Sequence, residues 1–368
     1  NNEKPELQYS YNYQNWYPSV EHETKNARKN VGLFDLTAFS KYDLKGEKTH
    51  SELQKICTAN IKNEIGRTTY TQMLNKDGGI EADLSITCLE EDNFLITTGS
   101  AVRYHDKHWI EKNINFSSQV KLSDITETLA VIGIMGPKSR SLLSSLSSEN
   151  FETSKFPFGT GKYIYINNRK IWAQRLSYVG ELGWELFIPI EFAQEIYKKI
   201  TSVGKNFELT HAGLHTMDIL RMEKGYLHWG HDISPEENPF EVGLNIFVSF
   251  KKTQNFIGRN IMELISNKGC KKRLVYLTLE KQNKPGEPLL LHEEPIYMDN
   301  KIVGKTSSGQ YSFNYQRSIS MGHITLNDSF DLKDIEKNNF EIEVAKKRYG
   351  AKLNLQPLHD PKNIDIKK

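Results

Sequence analysis

Residues 68–98 read TTYTQMLNKDGGIEADLSITCLEEDNFLITT and are the most informative stretch for the fold. Polar turns separate three runs that are rich in β-branched, aromatic and other apolar residues: 68–74, 80–89 and 93–98. Asp77-Gly78 suits a hairpin turn, because glycine adopts positive φ without a side-chain clash. The stretch therefore predicts an antiparallel, three-stranded meander.

The composition of the chain changes near residue 270. Before that point strand patterns alternate with amphipathic helical ones, including a predicted helix over 211–224 that ends before Gly225. After it, strand and turn signals dominate as far as Leu358. The sequence thus predicts an α+β region over 1–268, an all-β domain over 269–358 and a polar tail over 359–368.

Charge and composition exclude several classes of protein. The 368 residues carry 48 Lys and Arg against 46 Asp and Glu, a formal charge of +2, which argues against nucleic-acid binding through phosphate neutralisation. The longest apolar run, 129–135, is far shorter than a membrane span of about 20 residues. The three cysteines are widely spaced, so we expect a reducing, cytoplasmic compartment with no disulfide framework.

Two familiar motifs are incomplete. Gly133 and Gly136 follow an apolar run but do not form a GxGxxG fingerprint, so we expect no FAD or NAD domain within this chain. His211 and His215 have the spacing of two zinc ligands, but Ala212 occupies the position where a zincin helix carries glutamate. A structural role is favoured for both histidines, and no metal site is predicted.

Asp83 lies within a predicted strand, where aspartate is disfavoured. It shares one face of that strand with Glu81 and Ser85, and this face could simply be solvated. The alternative is a carboxylate that faces a cavity and acts as a general base or electrostatic partner. The pattern alone favours the solvated face.

Residues 177–186, SYVGELGWEL, combine carboxylates and aromatic rings with two glycines. A carboxylate beside aromatic rings could bind a heteroaromatic ligand, accepting two adjacent N–H donors while a ring stacks on the ligand's face. Tyr178 and Glu185 are the candidates for these two roles. A β-bulge with an exposed glutamate and a packed tryptophan explains the pattern equally well.

Arg221 and Ser100 are weaker candidates. Arg221 follows Asp218 by three residues in a predicted helix, so an ion pair between them is expected; alternatively, Arg221 could pair with Glu185 or reach an anionic ligand. Ser100 has the position of an N-cap for a helix over 101–114.

Seven segments occur in the order seen in one protein family. They are NVGLFDLTAFSKYDLKG (30–46), GGIEADLSIT (78–87), SYVGELGWEL (177–186), DILRMEKGYLHWG (218–230), NPFEVGL (238–244), FIGR (256–259) and KIVGKTSSGQYS (301–312). They resemble the C-terminal, tetrahydrofolate-binding half of dimethylglycine and sarcosine dehydrogenases, and more distantly the aminomethyltransferase (T-protein) of the glycine cleavage system. The resemblance extends over about residues 15–358.

This resemblance implies a fold and a set of site residues. The fold would be a cloverleaf of two interleaved α+β lobes, one of them ferredoxin-like, followed by a β-barrel or jelly-roll domain, with folate in the central channel. Asp83 matches the family's catalytic aspartate, while Tyr178 and Glu185 match residues that contact the pterin. Arg221 matches an arginine on a helix beside that pocket, and Ser100 falls near its edge.

The implied reaction is one-carbon transfer from a methylated amine, such as dimethylglycine or sarcosine, to give 5,10-methylene-tetrahydrofolate. Asp83 would accept a proton or stabilise an iminium cation. Alternatives are a folate-dependent demethylase of sulfonium or methoxy compounds and a non-catalytic folate-binding module. In the dehydrogenases this half follows an FAD-binding half, so the chain is either part of a longer flavoprotein or a separate enzyme, acting alone or with an FAD-containing partner subunit.

Overall fold

The computed structural model describes residues 6–11, 13–115, 119–281, 284–326 and 335–368. The α-helices within these ranges are Tyr17–Lys29 (α1), Thr49–Ile56 (α2), Arg103–Asn113 (α3), Ser139–Leu146 (α4), Ala193–Gly204 (α5), Leu214–Lys224 (α6) and Arg259–Lys268 (α7). In this part of the chain, no helix is both long and apolar enough to cross a membrane.

The first sheet has six strands, which come from both sides of a long insertion. They are Val31–Asp35 (β1), Leu129–Met135 (β7), Gly161–Ile166 (β8), Arg169–Gln174 (β9), Gly183–Pro189 (β10) and Leu209–Ala212 (β11). Their order across the sheet is β11-β1-β7-β10-β9-β8. Helices α4 and α5 cover one face and contribute Leu142, Leu143, Ile196 and Ile200 to its core.

The insertion between β1 and β7 forms the second sheet. Its strands are Ser40–Lys45 (β2), Thr68–Leu74 (β3), Ile80–Glu90 (β4), Asn93–Thr98 (β5) and Lys121–Asp124 (β6), in the order β3-β4-β5-β2-β6. The predicted meander is confirmed as β3, β4 and β5, all antiparallel. Helices α2 and α3 cover one face of this sheet through Leu53, Ile56 and Ile110.

The third unit is a closed β-barrel. Its strands are Lys272–Leu279 (β12), Pro295–Met298 (β13), Lys301–Ser312 (β14), Arg317–Thr325 (β15), Phe340–Val344 (β16) and Lys347–Asn354 (β17). Apolar side chains such as Val275, Ile296 and Ile342 form its core. The predicted α+β architecture with interleaved lobes and a terminal β-barrel is thus confirmed.

Two of the predicted helix starts were wrong. His211 belongs to β11, because residues 209–212 pair in parallel with β1, and α6 begins only at Leu214. His211 therefore does not share a helix with His215; it bonds to the hydroxyl of Tyr197 (2.8 Å), while His215 stacks on Trp16. Ser100 opens a single 3₁₀ turn and makes no side-chain cap bond.

Residues 359–368, predicted as a polar tail, pack against the rest of the chain. The Nζ of Lys224 contacts the Asp360 carboxylate at 2.9 Å, and both side chains are buried. Ile366 is also buried. A buried ion pair and a buried isoleucine explain why this charged segment is ordered.

A buried ionic cluster joins α6 to the barrel. Arg221 donates to Asp232 (2.5 Å), to Asp218 (2.7 Å) and to the hydroxyl of Ser308 on β14 (2.9 Å). Asp232 also accepts bonds from the hydroxyls of Ser307 and Ser308. Burial raises the pKa of Asp232, but Arg221 and the serines outweigh it and hold that pKa below its usual value.

Replacing Asp232 tests this anchor. Asp232→Ala leaves the buried Arg221 guanidinium with Asp218 as its one carboxylate partner among the described residues, so we expect a loss of about 3–5 kcal/mol in the free energy of unfolding. Urea denaturation followed by circular dichroism measures the loss. Glu21→Ala, which breaks the exposed Glu21–Lys25 pair, is the control and should cost less than about 1 kcal/mol. Equal effects of the two substitutions would show that the cluster is not an anchor.

Candidate functional site

The two sheets face each other across a shared interior. On β4, Ala82, Leu84 and Ile86 enter the core beneath α2 and α3, so Asp83 and Thr87 point to the opposite side. The hydroxyl of Thr87 donates to Oε1 of Gln174 on β9, at 2.8 Å. The face of β4 that carries Asp83 is therefore turned toward the first sheet rather than toward solvent.

Asp83 is a half-buried carboxyl group held by two neighbours on β3. Nε2 of Gln72 donates to Oδ1 of Asp83 at 2.9 Å, and the hydroxyl of Tyr70 also bonds to this carboxylate. Burial raises the pKa of Asp83 to about 6, although the two hydrogen bonds oppose the shift. A carboxyl group with this pKa can both hold and release a proton near neutral pH.

Glu185 lies on β10 of the first sheet and is more deeply buried than Asp83. Its neighbours Trp184 and Leu186 enter the core beneath α4 and α5, so Glu185 points to the same side as Phe187. Glu185 is only 7% exposed, and its side chain makes no hydrogen bond or ion pair with any described residue. Burial alone raises its pKa to about 7.

Further polar atoms around these carboxylates lack partners. Within the described ranges, Oε1 of Gln72 and Nε2 of Gln174 are buried without a hydrogen bond. Gln72 lies directly opposite Asp83 across the β3–β4 ladder, and Gln174 lies opposite Glu185 across β9–β10. Buried polar atoms are rarely left unpaired. The interior thus offers one acceptor, one donor and a carboxylate to a polar, heteroaromatic molecule.

Tyr178 also lies at the interior between the two sheets. Its hydroxyl donates to the carbonyl of Leu227 at 2.8 Å, and its ring stacks on Tyr226 with a centroid distance of 6.0 Å. Burial raises the pKa of the Tyr178 phenol above its usual value, and the charge of Asp83 contributes to that shift. Tyr178 is therefore near Asp83, and the hydroxyl of Tyr178 is used to position its ring.

The structure places Arg221 and Ser100 differently. The predicted pair between Arg221 and Asp218 is present, but the guanidinium is also committed to the barrel anchor, and no described contact joins it to Glu185. Arg221 lies close enough to Tyr178 for its charge to act on the phenol. Ser100 is exposed, and among the described residues no bond joins it to Asp83 or Glu185.

Sequence reasoning missed Tyr70, Gln72 and Gln174. Counting back from the 75–79 turn would pair Gln72 with Ala82, but a bulge between Met73 and Leu74 shifts the register and brings Gln72 opposite Asp83. Gln174 could not be placed by such counting, because residues 175–182 separate β9 from β10 and no short turn sets the register that brings Gln174 opposite Glu185.

Comparison with known proteins identifies two family models along the chain. Residues 4–252 match the GCVT N-terminal domain. Residues 272–360 match the glycine cleavage T-protein C-terminal barrel domain. The second match includes all six strands of the closed barrel.

Similar curated proteins fall into two groups by length. The chain is 34% identical to 4-methylaminobutanoate oxidase (formaldehyde-forming) of Paenarthrobacter nicotinovorans over 97% of this chain and 42% of the oxidase. It is 32% identical to mitochondrial dimethylglycine dehydrogenase of Rattus norvegicus over 95% of this chain and 40% of the dehydrogenase. The chain thus spans about two fifths of these relatives.

A shorter relative matches over most of its own length. The aminomethyltransferase of Halothermothrix orenii is 32% identical over 84% of this chain and 84% of the relative. Aminomethyltransferase T of the Bartonella henselae glycine cleavage system has the same fold, with a TM-score of 0.81 at 19% identity, over 97% of this chain and 94% of the other. With both domain models matched, the chain belongs to the glycine cleavage T-protein (aminomethyltransferase) family.

Proposed function

We propose that this chain transfers one-carbon units to tetrahydrofolate, taking a methyl- or imine-derived carbon from a methylated amine such as dimethylglycine or sarcosine and giving 5,10-methylene-tetrahydrofolate. The observation that carries the proposal is Glu185, a buried carboxylate that has no partner among the described residues and points into the interior shared with Asp83. The names of the longer relatives, a methylaminobutanoate oxidase and a dimethylglycine dehydrogenase, favour a methylated amine as the carbon source.

The residues present fit a reduced pterin. A pterin ring offers adjacent N–H donors, which the two oxygens of Glu185 can accept as a fork. Its remaining donors and acceptors match Oε1 of Gln72 and Nε2 of Gln174, which have no hydrogen-bond partner in the described part of the chain. Tetrahydrofolate, when bound, would supply the nucleophilic nitrogens that accept the carbon unit.

Asp83 has the environment of a proton carrier. Its pKa of about 6 lies close to neutral pH, and Gln72 and Tyr70 fix the orientation of its carboxylate. Near the reacting nitrogens, the ionised form can accept a proton and stabilise a developing positive charge. The position of Asp83 between the two sheets, where its side chain is half-buried, also limits its contact with bulk water, which would protect a hydrolysable carbon fragment. These features favour an enzyme over a non-catalytic folate-binding module.

An FAD-containing protein is the proposed partner. The carbon in a methylamine must be oxidised to the imine level before a folate nitrogen can attack it, and we expect no flavin domain in the family-matched region of this chain. A flavin-dependent oxidation, in a separate subunit or in a further part of the same polypeptide, would supply that step. The chain's coverage of only two fifths of its longer relatives is compatible with both arrangements.

Tetrahydrofolate binding is the first prediction. Anaerobic calorimetric titration at pH 8 should give saturable binding, and Glu185→Gln should weaken it at least about tenfold, because hydrogen bonds to a charged group contribute about 1.5–3 kcal/mol. Glu191→Gln, at an exposed position nearby, is the control. An absence of binding in the wild-type chain would refute the folate assignment.

The affinity should also depend on pH. Because only the ionised form of Glu185 accepts two N–H bonds and its pKa is about 7, the dissociation constant should rise about tenfold from pH 8 to pH 6. Glu185→Gln should lose this dependence. A wild-type affinity that does not change over this range would contradict the role of Glu185.

Burial of Glu185 also has a cost for stability. Its pKa rises from 4.5 to about 7 on folding. The group therefore destabilises the folded state most at high pH, where the carboxylate is buried in its ionised form. Glu185→Gln should therefore raise the free energy of unfolding by up to about 3 kcal/mol at pH 8, and by less than about 1 kcal/mol at pH 5. Urea denaturation at both pH values measures this, with Glu191→Gln as control. Destabilisation at pH 8 would contradict the expectation.

Asp83→Asn separates catalysis from binding. We expect tetrahydrofolate to bind within about threefold of wild type, whereas the catalysed rate falls about 10²–10⁴-fold, because the amide cannot carry the proton. The rate of 5,10-methylene-tetrahydrofolate formation from tetrahydrofolate and the formaldehyde adduct of sarcosine, above the uncatalysed background, measures the effect. Asp77→Asn in the exposed turn is the control. An unchanged rate would favour the non-catalytic alternative.

A further inference from the structure

A histidine near the start of α3 connects two carboxylates close to Asp83. Nδ1 of His105 lies 2.9 Å from Oδ1 of Asp106, and Nε2 of His105 lies 3.3 Å from Oε2 of Glu81 on β4. Only the imidazolium form of the ring can donate to both carboxylates at once. We call Glu81, His105 and Asp106 the carboxylate bridge.

The carboxylate bridge borders the proposed folate site. Glu81 and Asp83 lie on the same face of β4, and two residues of a strand span about 7 Å. The ring of Trp229 packs against that of His105 at a centroid distance of 5.2 Å, and its Nε1 donates to the carbonyl of Ile80 at 2.9 Å. The loop that follows α6 thus holds the bridge against the start of β4.

Asp106 is the buried member of the bridge. It is only 1% exposed, and one of its oxygens accepts a hydrogen bond from the hydroxyl of Thr98 on β5. Among the described residues, no lysine or arginine lies within ion-pair distance of Asp106 or Glu81. Burial raises the pKa of Asp106, whereas the bonds from His105 and Thr98 oppose that rise. His105 and Thr98 therefore favour the ionised form of this buried carboxylate.

The charge of the bridge acts on Asp83. Gln72 and Tyr70 bond to Asp83 and stabilise its ionised form, which makes it a weaker base. Burial has the opposite effect, and the negative charge of Asp106 adds to that of burial. Two ionised carboxylates and one imidazole leave the bridge negative in either form of His105. A negative neighbour makes Asp83 hold its proton more strongly.

Other titratable groups nearby do not cancel this charge. The phenols of Tyr70 and Tyr178 near Asp83, and that of Tyr42 near Asp106, have pKa values raised by burial, so they stay neutral near pH 7. Arg103, at the start of α3, is already paired with Asp124 and Glu127, at 2.9 and 2.7 Å. The negative charge of the bridge is thus not matched by a cation from these elements.

We propose that the carboxylate bridge is a positioning element for the one-carbon reaction: it holds negative charge beside Asp83 and makes Asp83 a stronger base than its hydrogen-bond donors alone would allow. The inference rests on the proposed role of Asp83 as the proton carrier. Asp106 and Glu81 act through Asp83 and are not assigned to the ligand. Removing their charge should therefore weaken the base while the groups assigned to the folate site stay in place.

Asp106→Asn tests the bridge in the free protein. The amide has the same shape and can still accept the bonds from Thr98 and His105, but it lacks the charge, so the midpoint of the Asp83 titration should fall by about 0.5–1 pH unit. Carbon-13 NMR of protein labelled at the aspartate carboxyl groups measures this midpoint, and Asp83→Asn identifies the signal. His108→Gln, at an exposed position on the same helix, is the control and should leave the midpoint unchanged. An unchanged midpoint in Asp106→Asn would overturn the proposal.

A second variant covers the case in which Asp106→Asn does not fold. Glu81→Gln removes the less buried carboxylate of the bridge and should also lower the midpoint of Asp83. No change in this variant would overturn the proposal in the same way.

The rate of 5,10-methylene-tetrahydrofolate formation gives an independent readout. In Asp106→Asn the acidic limb of the pH–rate profile should move to lower pH with the NMR midpoint, and the rate above that limb should fall about two- to fivefold, because the base is weaker. A lower rate with an unmoved limb would show a merely structural role. The NMR titration needs no folate, so a failure of tetrahydrofolate to bind would refute the proposed function alone. Normal folate binding with an unmoved NMR midpoint would refute this inference alone.

Discussion

The burial of Glu185 without a counter-charge from any described residue is the constraint on which the proposed site depends. A carboxylate in a low-dielectric interior normally acquires a cation or several donors, yet the strand pair that holds Glu185 offers only Gln174 directly opposite. The cores on both sides of the first sheet fix the strand so that this side chain cannot turn to solvent. The fold therefore holds a strong acceptor that no described side chain satisfies, as the proposed ligand site requires.

Each of the three units of the fold contributes to the proposed site. The first sheet supplies Glu185, the inserted second sheet supplies Asp83, and the hydrogen bond from Thr87 to Gln174 connects the two walls. The barrel contributes through the Arg221 cluster, which fixes α6 and the loop that carries Asp232. Arg221 thus acts on the described site as an anchor, with its donors committed to Asp218, Asp232 and Ser308. Interleaving the lobes is what allows two carboxylates far apart in sequence to face the same space.

Much of the fold followed from local patterns, whereas the site followed from them only in part. The meander over 68–98 was predictable because period-two alternation and the Asp77-Gly78 turn agree. The environment of the strand face that carries Asp83 was not predictable. The polar side of a strand can meet either water or a second sheet, and only the tertiary structure decides between them. The resemblance of segments 78–87 and 177–186 to a folate-binding family was what favoured the alternative in which Asp83 faces a cavity. The Met73–Leu74 bulge hid Gln72, since a one-residue register shift cannot be read from composition.

The raised pKa of Glu185 gives the site a means of discrimination. Near pH 7 the free protein holds this group about half protonated. A ligand that presents two N–H donors favours the ionised form, and its binding energy must also cover the cost of deprotonation. A ligand of similar shape that presents acceptors would need the protonated form and could use only one hydrogen bond from it. The desolvation of Glu185 that destabilises the free protein therefore also selects ligands by their pattern of donors. Apolar surroundings of Glu185 for this reason give higher specificity than a neighbouring cation would.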